Sequence, residues 1–143
     1  MNYPQTLAKE LLSVANNLEA ISKYGCLAMC YLYCVGIQDN ALEYIKIVSD
    51  CMDKGFLDNE CTVLDAEKYL EYITGRKFKV SKRQFNNLKD IKNPSPVKYT
   101  FNGVSHWVVV ENGKIVFNSL LNSNCVNKGK PATKENTRII TLS

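Results

Sequence analysis

The sequence predicts an α+β fold in which helices come first and an antiparallel sheet follows. Two observations predict it. Apolar residues recur with helical spacing up to about residue 75, and beyond that point polar and apolar residues alternate with the period of a strand. Strands do not alternate with helices along the chain, which argues against a parallel sheet. No linker or internal repeat is evident, so we expect one domain over 1–143, with a helical half to about 75 and a sheet half from about 76.

Four helices are predicted in the first half, and each has its own signals. They are Gln5–Ile21, Cys26–Val35, a third from Asp39 or Asn40 to about Asp53, and a fourth from Thr62 to Gly75. The second is apolar almost all round its circumference, which predicts a buried central helix. The fourth is placed at Thr62 because Thr62-Val63-Leu64-Asp65 resembles a capping box.

Period-two alternation and turn residues predict the strands of the second half. They are Lys77–Val80, Val97–Phe101, Ser105–Val110, Lys114–Leu120 and Arg138–Leu142. Asn112-Gly113 supplies a hairpin turn. Residues 93–96 are predicted as a loop, because Pro94 and Pro96 at alternate positions bar both a helix and a central strand.

Composition and charge favour an ordinary globular protein. Hydrophobic residues make up 45% and charged residues 22% of the chain, which argues against a disordered or low-complexity class. The net charge of +4 is scattered without a dense basic block, so we expect no nucleic-acid partner. No stretch approaches the roughly 20 apolar residues of a membrane helix, and Met1–Pro4 shows neither a basic leader nor an apolar signal core. We therefore expect a cytoplasmic protein without a membrane partner.

The six cysteines are predicted to be reduced. Cys26, Cys30 and Cys34 recur every fourth residue in the apolar central helix, where buried free thiols are common. Three sulfurs spread over two helical turns cannot all reach one ion, so no metal is expected. No cofactor is predicted either.

Cys26 is the candidate nucleophile because it opens a helix. Free N–H groups and the positive end of the dipole at a helix start stabilise a thiolate, which predicts a lowered pKa for this thiol. Gly25 allows a tight turn there, and the backbone N–H of Cys26 is a candidate oxyanion donor. The alternative is an inert buried helix cysteine.

His106 and Asn118 are the candidate partners of Cys26. His106 is the one histidine of the chain and lies within an apolar strand, so it is either a core residue or a base held rigidly on a sheet. Asn118 lies in the next strand and is placed to accept a hydrogen bond from the imidazole. Trp107 points to the opposite face and is predicted to pack on a helix, whereas Tyr24 is expected near any cleft.

The register of the hairpin decides whether His106 and Asn118 meet. A two-residue turn at Asn112-Gly113 pairs His106 with Ser119 and sends Asn118 to the other face. A three-residue loop with a bulge at Gly113 pairs His106 with Asn118, and a bulge elsewhere in the hairpin has the same effect. Both remain open, and Ser119 is the reserve orienting residue.

These segments resemble a known family. Tyr24-Gly25-Cys26 opening an apolar helix, the segment Ser105–Val110 and then Val116–Ser119 resemble papain-like cysteine peptidases. The nearest likeness is to the bacteriocin-processing, double-glycine peptidase-like domains and their small bacterial and phage relatives. The resemblance implies a papain-like fold, a peptide or protein substrate, and the roles of nucleophile for Cys26, general base and then acid for His106, and orienter for Asn118.

One position departs from the family pattern. The family usually has a Gln about six residues before the cysteine as a side-chain oxyanion donor, and here that residue is Ala20. Asn17 and Ser22 are the candidate substitutes, beside the cleft residues Tyr24 and Gly25. Two functions therefore follow: a thiol hydrolase that cleaves a peptide or isopeptide amide, or a catalytically impaired papain-like fold that binds a protein or peptide.

Overall fold

The computed structural model describes residues 3–143 and has the predicted order of helices followed by an antiparallel sheet. The helices are α1 (Pro4–Val14), α2 (Leu18–Tyr24), α3 (Cys26–Cys34), α4 (Ala41–Asp53), α5 (Ala66–Thr74) and α6 (Asn124–Asn127), with 3₁₀ turns at Ala15–Asn17 and Leu88–Asp90. The strands are β1 (Phe78–Arg83), β2 (Ser95–Phe101), β3 (Val104–Glu111), β4 (Lys114–Phe117), β5 (Lys130–Pro131) and β6 (Thr137–Leu142). None of the helices within residues 3–143 has the length and apolar character that a membrane span requires. The sequence predicts no leader in Met1–Pro4, and the first two residues of that segment, Met1 and Asn2, lie outside the described residues.

The sheet has the strand order β1-β6-β2-β3-β4. The short strand β5 also pairs with β2, next to the single residue pair that joins β2 to β6. All the pairs are antiparallel. The predicted turn at Asn112-Gly113 is confirmed, with φ angles of 53° and 81° that suit a tight hairpin. A second turn of the same kind, Asn102-Gly103, joins β2 to β3.

Helix α3 is the buried central helix that the sequence predicts. Its residues Ala28, Tyr31 and Leu32 lie in the core of the helical half, where the Tyr69 hydroxyl donates to the Ala28 carbonyl at 2.9 Å. On its other side, Cys30 packs against the β3 side chains Trp107 and Val109. Helix α3 is thus held between the other helices and the sheet, which fixes the position of its first residue against β3.

The N-terminal helix is less regular than the prediction. The continuous helix predicted over Gln5–Ile21 is interrupted by the 3₁₀ turn at Ala15–Asn17. Val14 and Ile21 are buried, whereas Leu7 and Leu11 remain almost half exposed. The apolar stripe is therefore covered by the rest of the protein only around and after this break.

The predicted start of the fourth helix at Thr62 is wrong. Its N-cap is Asp65, whose Oδ1 accepts the Lys68 N–H at 3.1 Å. The preceding residue Val63 forms an extended bridge with Leu57, so the chain cannot turn into a helix before Asp65. The predicted end is confirmed, because Gly75 follows the helix with a φ of 71°.

The prediction that residues 93–96 exclude a central strand is also wrong. Strand β2 begins at Ser95, contains Pro96, and lies between β6 and β3. Proline has no N–H to donate to a neighbouring strand. Consistent with that, β6 pairs with β2 only at Val97–Thr137 before it continues alongside β1.

Asn136 joins the segment after β1 to the middle of β2. Its side chain is fully buried, accepts the Phe85 N–H at 3.0 Å and donates to the Phe85 carbonyl at 2.8 Å. Its backbone carbonyl accepts the Lys98 N–H at 2.8 Å. Asn136 thus links two parts of the sheet half, because its side chain binds the Phe85 backbone and its own backbone binds β2.

We expect Asn136→Ala to lower the free energy of unfolding by about 2–5 kcal/mol, because the N–H and carbonyl of the half-buried Phe85 and the buried hydroxyl of Thr137 lose their partner. Urea denaturation followed by circular dichroism measures the change. The exposed Asn86→Ala is the control and should change stability by less than about 0.5 kcal/mol. Equal effects of the two substitutions would contradict the role given to Asn136.

Candidate active site

Cys26 lies at the start of α3, immediately after the glycine that separates α2 from α3. A Cβ at Gly25 would lie 2.7 Å from the Ile21 carbonyl oxygen, so glycine is needed here for space. Within residues 3–143, no backbone carbonyl accepts the N–H groups of Cys26 or Leu27. These groups are the free donors of a helix N-terminus, and both are directed at the Cys26 thiol.

His106 and Asn118 are directly bonded. The distance from His106 Nε2 to Asn118 Oδ1 is 2.8 Å, and the imidazole is almost completely buried. The Leu120 N–H donates to the same Oδ1 at 3.1 Å, which requires that atom to be the oxygen of the amide. The His106 nitrogen is therefore the donor, and Nδ1 carries the lone pair whenever the ring is neutral.

A bulge in β4 brings these two residues to one face of the sheet. The hairpin starts as a two-residue turn with Glu111 opposite Lys114 and Val110 opposite Ile115, but Val109 is opposite Phe117. One extra residue, Val116, has therefore been inserted into β4. The bulge at Gly113 was the wrong alternative, and the hairpin has its bulge elsewhere. The predicted pairing of His106 with Asn118 is not formed, because the residue after Phe117 falls opposite Val108, but that residue shares the face of Val108 and His106.

Two cavities are lined by Cys26. The first, here called the His106 cavity, has a volume of about 300 Å³ and is lined by Cys26, His106 and Ser119 among others. The second, here called the Arg138 cavity, has a volume of about 630 Å³ and is lined by Cys26, Trp107 and Arg138 among others. Because Cys26 lines both, an extended ligand could pass from one to the other across the thiol.

Most of the predicted cleft residues lie around these cavities. Gly25, Ser22 and Ser119 line the His106 cavity, and Tyr24 lines the Arg138 cavity. The Ser22 hydroxyl donates to the Glu19 carbonyl at 2.7 Å, so it is already engaged within its own helix. Ser119 is placed near His106, but the ring donates its hydrogen bond to Asn118, the first choice of orienting residue.

Asn17 is a wrong prediction as an oxyanion donor. Its side-chain amide donates to Ser49 Oγ at 2.9 Å and to Asp53 Oδ1 at 3.0 Å, and it lines neither cavity. Ala20 also lines neither cavity and packs against the core of the helical half. A glutamine at position 20 would therefore face the core and not the cavities. The absence of the family's Gln at this position is thus weaker evidence against catalysis at this site.

Burial raises the pKa of the Cys26 thiol above its ordinary value. The backbone N–H groups of Trp107, Leu27 and Cys26 itself lower the pKa, but they offset only part of the effect. The lowered pKa predicted from the helix start is therefore wrong, because desolvation outweighs the helix N-terminus. The resting site holds a neutral thiol at neutral pH.

All six cysteines have free thiols, and several are more strongly perturbed than Cys26. Burial raises the pKa of Cys61 to about 11 and that of Cys51 to about 12. Burial also raises the pKa of Cys30 and Cys34 well above the ordinary range. These four thiols are expected to react slowly with alkylating reagents at neutral pH.

Some cavity residues could not be identified from the sequence. Lys23 lines both cavities and forms an exposed ion pair with Glu19 at 2.9 Å; its closeness in sequence to Cys26 was the only available signal. Leu120 contributes a backbone N–H, which no side-chain pattern reveals. Arg138 reaches the site because β6 crosses back through the sheet, so its position depends on the topology.

The fold and the site define an α+β protein in which a thiol at a helix start shares a cavity with a histidine bonded to an asparagine. Residues 11–140 match the family described as protein of unknown function, DUF261, and the chain belongs to that family. No curated protein matches the chain. No solved structure matches it either.

The raised pKa of Cys26 makes a prediction about its pH dependence. Since the thiolate is the reactive form, the rate of its alkylation by iodoacetamide should still be rising at about pH 8.5, the midpoint of an unperturbed thiol. Mass spectrometry of the modified peptides gives the rate for each cysteine, with a short unstructured cysteine peptide as reference. A rate that levels off below pH 7 would contradict the neutral resting thiol and would indicate a stable thiolate–imidazolium pair.

Proposed function

We propose that the protein is a thiol hydrolase that cleaves a peptide or isopeptide amide, with Cys26 as nucleophile, His106 as general base and then acid, and Asn118 as orienter. The observation that carries the proposal is the 2.8 Å bond from His106 to Asn118, together with the cavity that both His106 and Cys26 line. The bond gives the ring the tautomer with a free lone pair on Nδ1. A nucleophile, a base and a group that orients the base are the three parts that such catalysis requires.

The proposed reaction uses only groups of this site. The Cys26 sulfur attacks the substrate carbonyl carbon while His106 Nδ1 takes the thiol proton, and the N–H groups of Cys26 and Leu27 are the candidate donors to the oxyanion. The imidazolium then gives that proton to the leaving amine as the C–N bond breaks, which leaves a thioester. A water molecule attacks the thioester with His106 again as base, and the acid product and the free thiol are restored.

The neutral resting thiol shapes this mechanism. Because burial raises the pKa of Cys26, transfer of the proton to His106 as the carbon–sulfur bond forms is favoured over a separate earlier step. The imidazolium that results donates from Nε2 to Asn118 Oδ1, and a bond with a charged donor is stronger than a neutral one. Asn118 thus stabilises the protonated ring as well as its orientation.

The papain-like assignment of the fold belongs to this proposal. It is supported by the buried helix that starts at the cysteine, by the sheet that follows, and by the order Cys26, His106 and Asn118 along the chain. The expected partner is a peptide or protein substrate. A cytoplasmic location stays a prediction from the sequence.

The alternative function is binding of a protein or peptide without turnover. It is favoured by two observations: the pKa of Cys26 is raised, and Asn17, a proposed side-chain oxyanion donor, is held by α4. In that case the cavities around Cys26 would hold a ligand whose amide is not attacked. The two functions differ in whether the Cys26 sulfur is needed.

Hydrolysis can be tested with a mixture of peptides derived from a bacterial proteome, in which new termini are identified by mass spectrometry. Cleavage should fall at least about a thousandfold in Cys26→Ser and in His106→Ala, and about tenfold to a hundredfold in Asn118→Ala, which retains the base but loses its orienter. Cys34→Ala is the matched control, because it removes a thiol from the same helix but lines neither cavity.

Two results would contradict the proposal. One is cleavage that survives Cys26→Ser, and the other is an absence of cleavage by folded wild-type protein. In the second case, peptides retained equally by immobilised wild-type and Cys26→Ser protein would favour the binding function.

A further inference from the structure

The Arg138 cavity has two cations on the same face of the sheet. Arg138 in β6 is directly opposite Lys82 in β1, and both line the cavity. The Arg138 guanidinium lies over the Trp107 ring, 4.7 Å from its centroid, and donates to the Glu135 carbonyl at 2.9 Å. An arginine held against an aromatic ring and a carbonyl loses little further freedom when it binds an anion.

Neither of these cations has a carboxylate partner within residues 3–143. The ion pairs of that part of the chain all lie in the helical half, and their cations are Lys23, Lys46 and Lys54. A third cation, Lys98, lies 5.8 Å from the centroid of the Trp107 ring. The unpaired charges of Arg138 and Lys98 therefore lie beside the indole, and Arg138 and Lys82 line the cavity that Cys26 also lines.

The carboxylates that line the same cavity come from the start of α5 and the loop before it, and not from the strands that carry Arg138 and Lys82. Asp65 and Glu67 lie at the start of α5, where Asp65 Oδ1 accepts the Lys68 N–H at 3.1 Å and Glu67 Oε2 accepts the Val80 N–H at 3.1 Å. Each thus already serves a backbone donor. Glu60, on the loop before α5, also lines the cavity, and it forms no ion pair with Arg138 or Lys82.

We propose that Arg138 and Lys82 form a carboxylate-binding subsite, which holds an acidic group of the substrate on the Arg138 side of Cys26. Arginine suits this role because its planar fork matches a carboxylate, and Lys82 adds a second charge from the adjacent strand. Identification of the ligand as a substrate rests on the proposed hydrolase function. The anion preference of the cavity itself does not.

Two small reagents test the anion preference without any known substrate. Iodoacetate and iodoacetamide both transfer a methylene carbon to the Cys26 sulfur and release iodide, but only iodoacetate carries a carboxylate. The measured quantity is the rate of Cys26 modification by iodoacetate divided by the rate with iodoacetamide, at low salt and mapped by mass spectrometry. This ratio should fall about two- to fivefold in Arg138→Gln and in Lys82→Gln, because each substitution removes a positive charge.

The chain offers matched controls for both substitutions. Lys79→Gln and Arg83→Gln remove the same charges from exposed positions on the opposite face of β1, and they should leave the ratio unchanged. Arg138→Lys keeps the charge and should retain most of the preference for iodoacetate.

An unchanged ratio in both Arg138→Gln and Lys82→Gln, or an equal fall in the two controls, would overturn the proposed subsite. Lys82 is exposed, so its substitution remains informative if Arg138→Gln fails to fold.

The peptide mixture then distinguishes the source of the carboxylate. Cuts at a fixed distance from Asp or Glu identify an acidic side chain, whereas cuts at a fixed distance from the peptide end that vanish after C-terminal amidation identify a terminal carboxylate. Either preference should be lost in Arg138→Gln, and a cleavage pattern that is identical in wild type and Arg138→Gln would overturn the proposal. If wild type cleaves nothing, the hydrolase function fails, and the reagent ratio still decides whether the cavity favours anions.

Discussion

The hydrogen bond from His106 to Asn118 is the interaction on which the site depends, and a single extra residue in β4 makes it possible. Without the insertion of Val116, strand alternation would send Asn118 to the opposite face of the sheet, and the imidazole would lack its acceptor. The same bond selects the tautomer that leaves Nδ1 free. Backbone register and acid–base chemistry are therefore directly linked in this protein.

The position of the thiol depends on packing and not on a side-chain hydrogen bond. Helix α3 is buried between the other helices and β3, so its first residue is held against the sheet at the level of Trp107. The same burial removes water from the sulfur and raises its pKa. Water exclusion at this site therefore opposes thiolate formation, and a nearby base becomes necessary for reaction at neutral pH.

The general architecture and the main residues of the site could be predicted because they depend on local patterns. A run of residues that is apolar almost all round identified α3, alternation and Asn112-Gly113 identified the β3–β4 hairpin, and the one histidine marked its strand. Features that depend on tertiary structure could not be predicted. The bulge at Val116 was one of several equivalent alternatives, and the Leu57–Val63 bridge that delays α5 joins residues without a sequence signal.

The electrostatic properties were the least predictable part of the site. The helix N-terminus suggested a lowered pKa for Cys26, but the magnitude of desolvation depends on how closely β3 covers the thiol. Arg138 joins the site only because β6 lies between β1 and β2 in the sheet. Both outcomes depend on contacts between segments that are distant in sequence, and local patterns do not encode them.

The most direct test of the account is the tautomer of the one histidine, measured by long-range ¹H–¹⁵N correlation spectra of the labelled imidazole. The neutral ring is expected to carry its proton on Nε2 in wild type, and to populate both tautomers in Asn118→Ala, where the acceptor is lost. A proton on Nδ1 in wild type would contradict the account. In that tautomer His106 could neither donate to Asn118 through Nε2 nor accept the Cys26 proton on Nδ1.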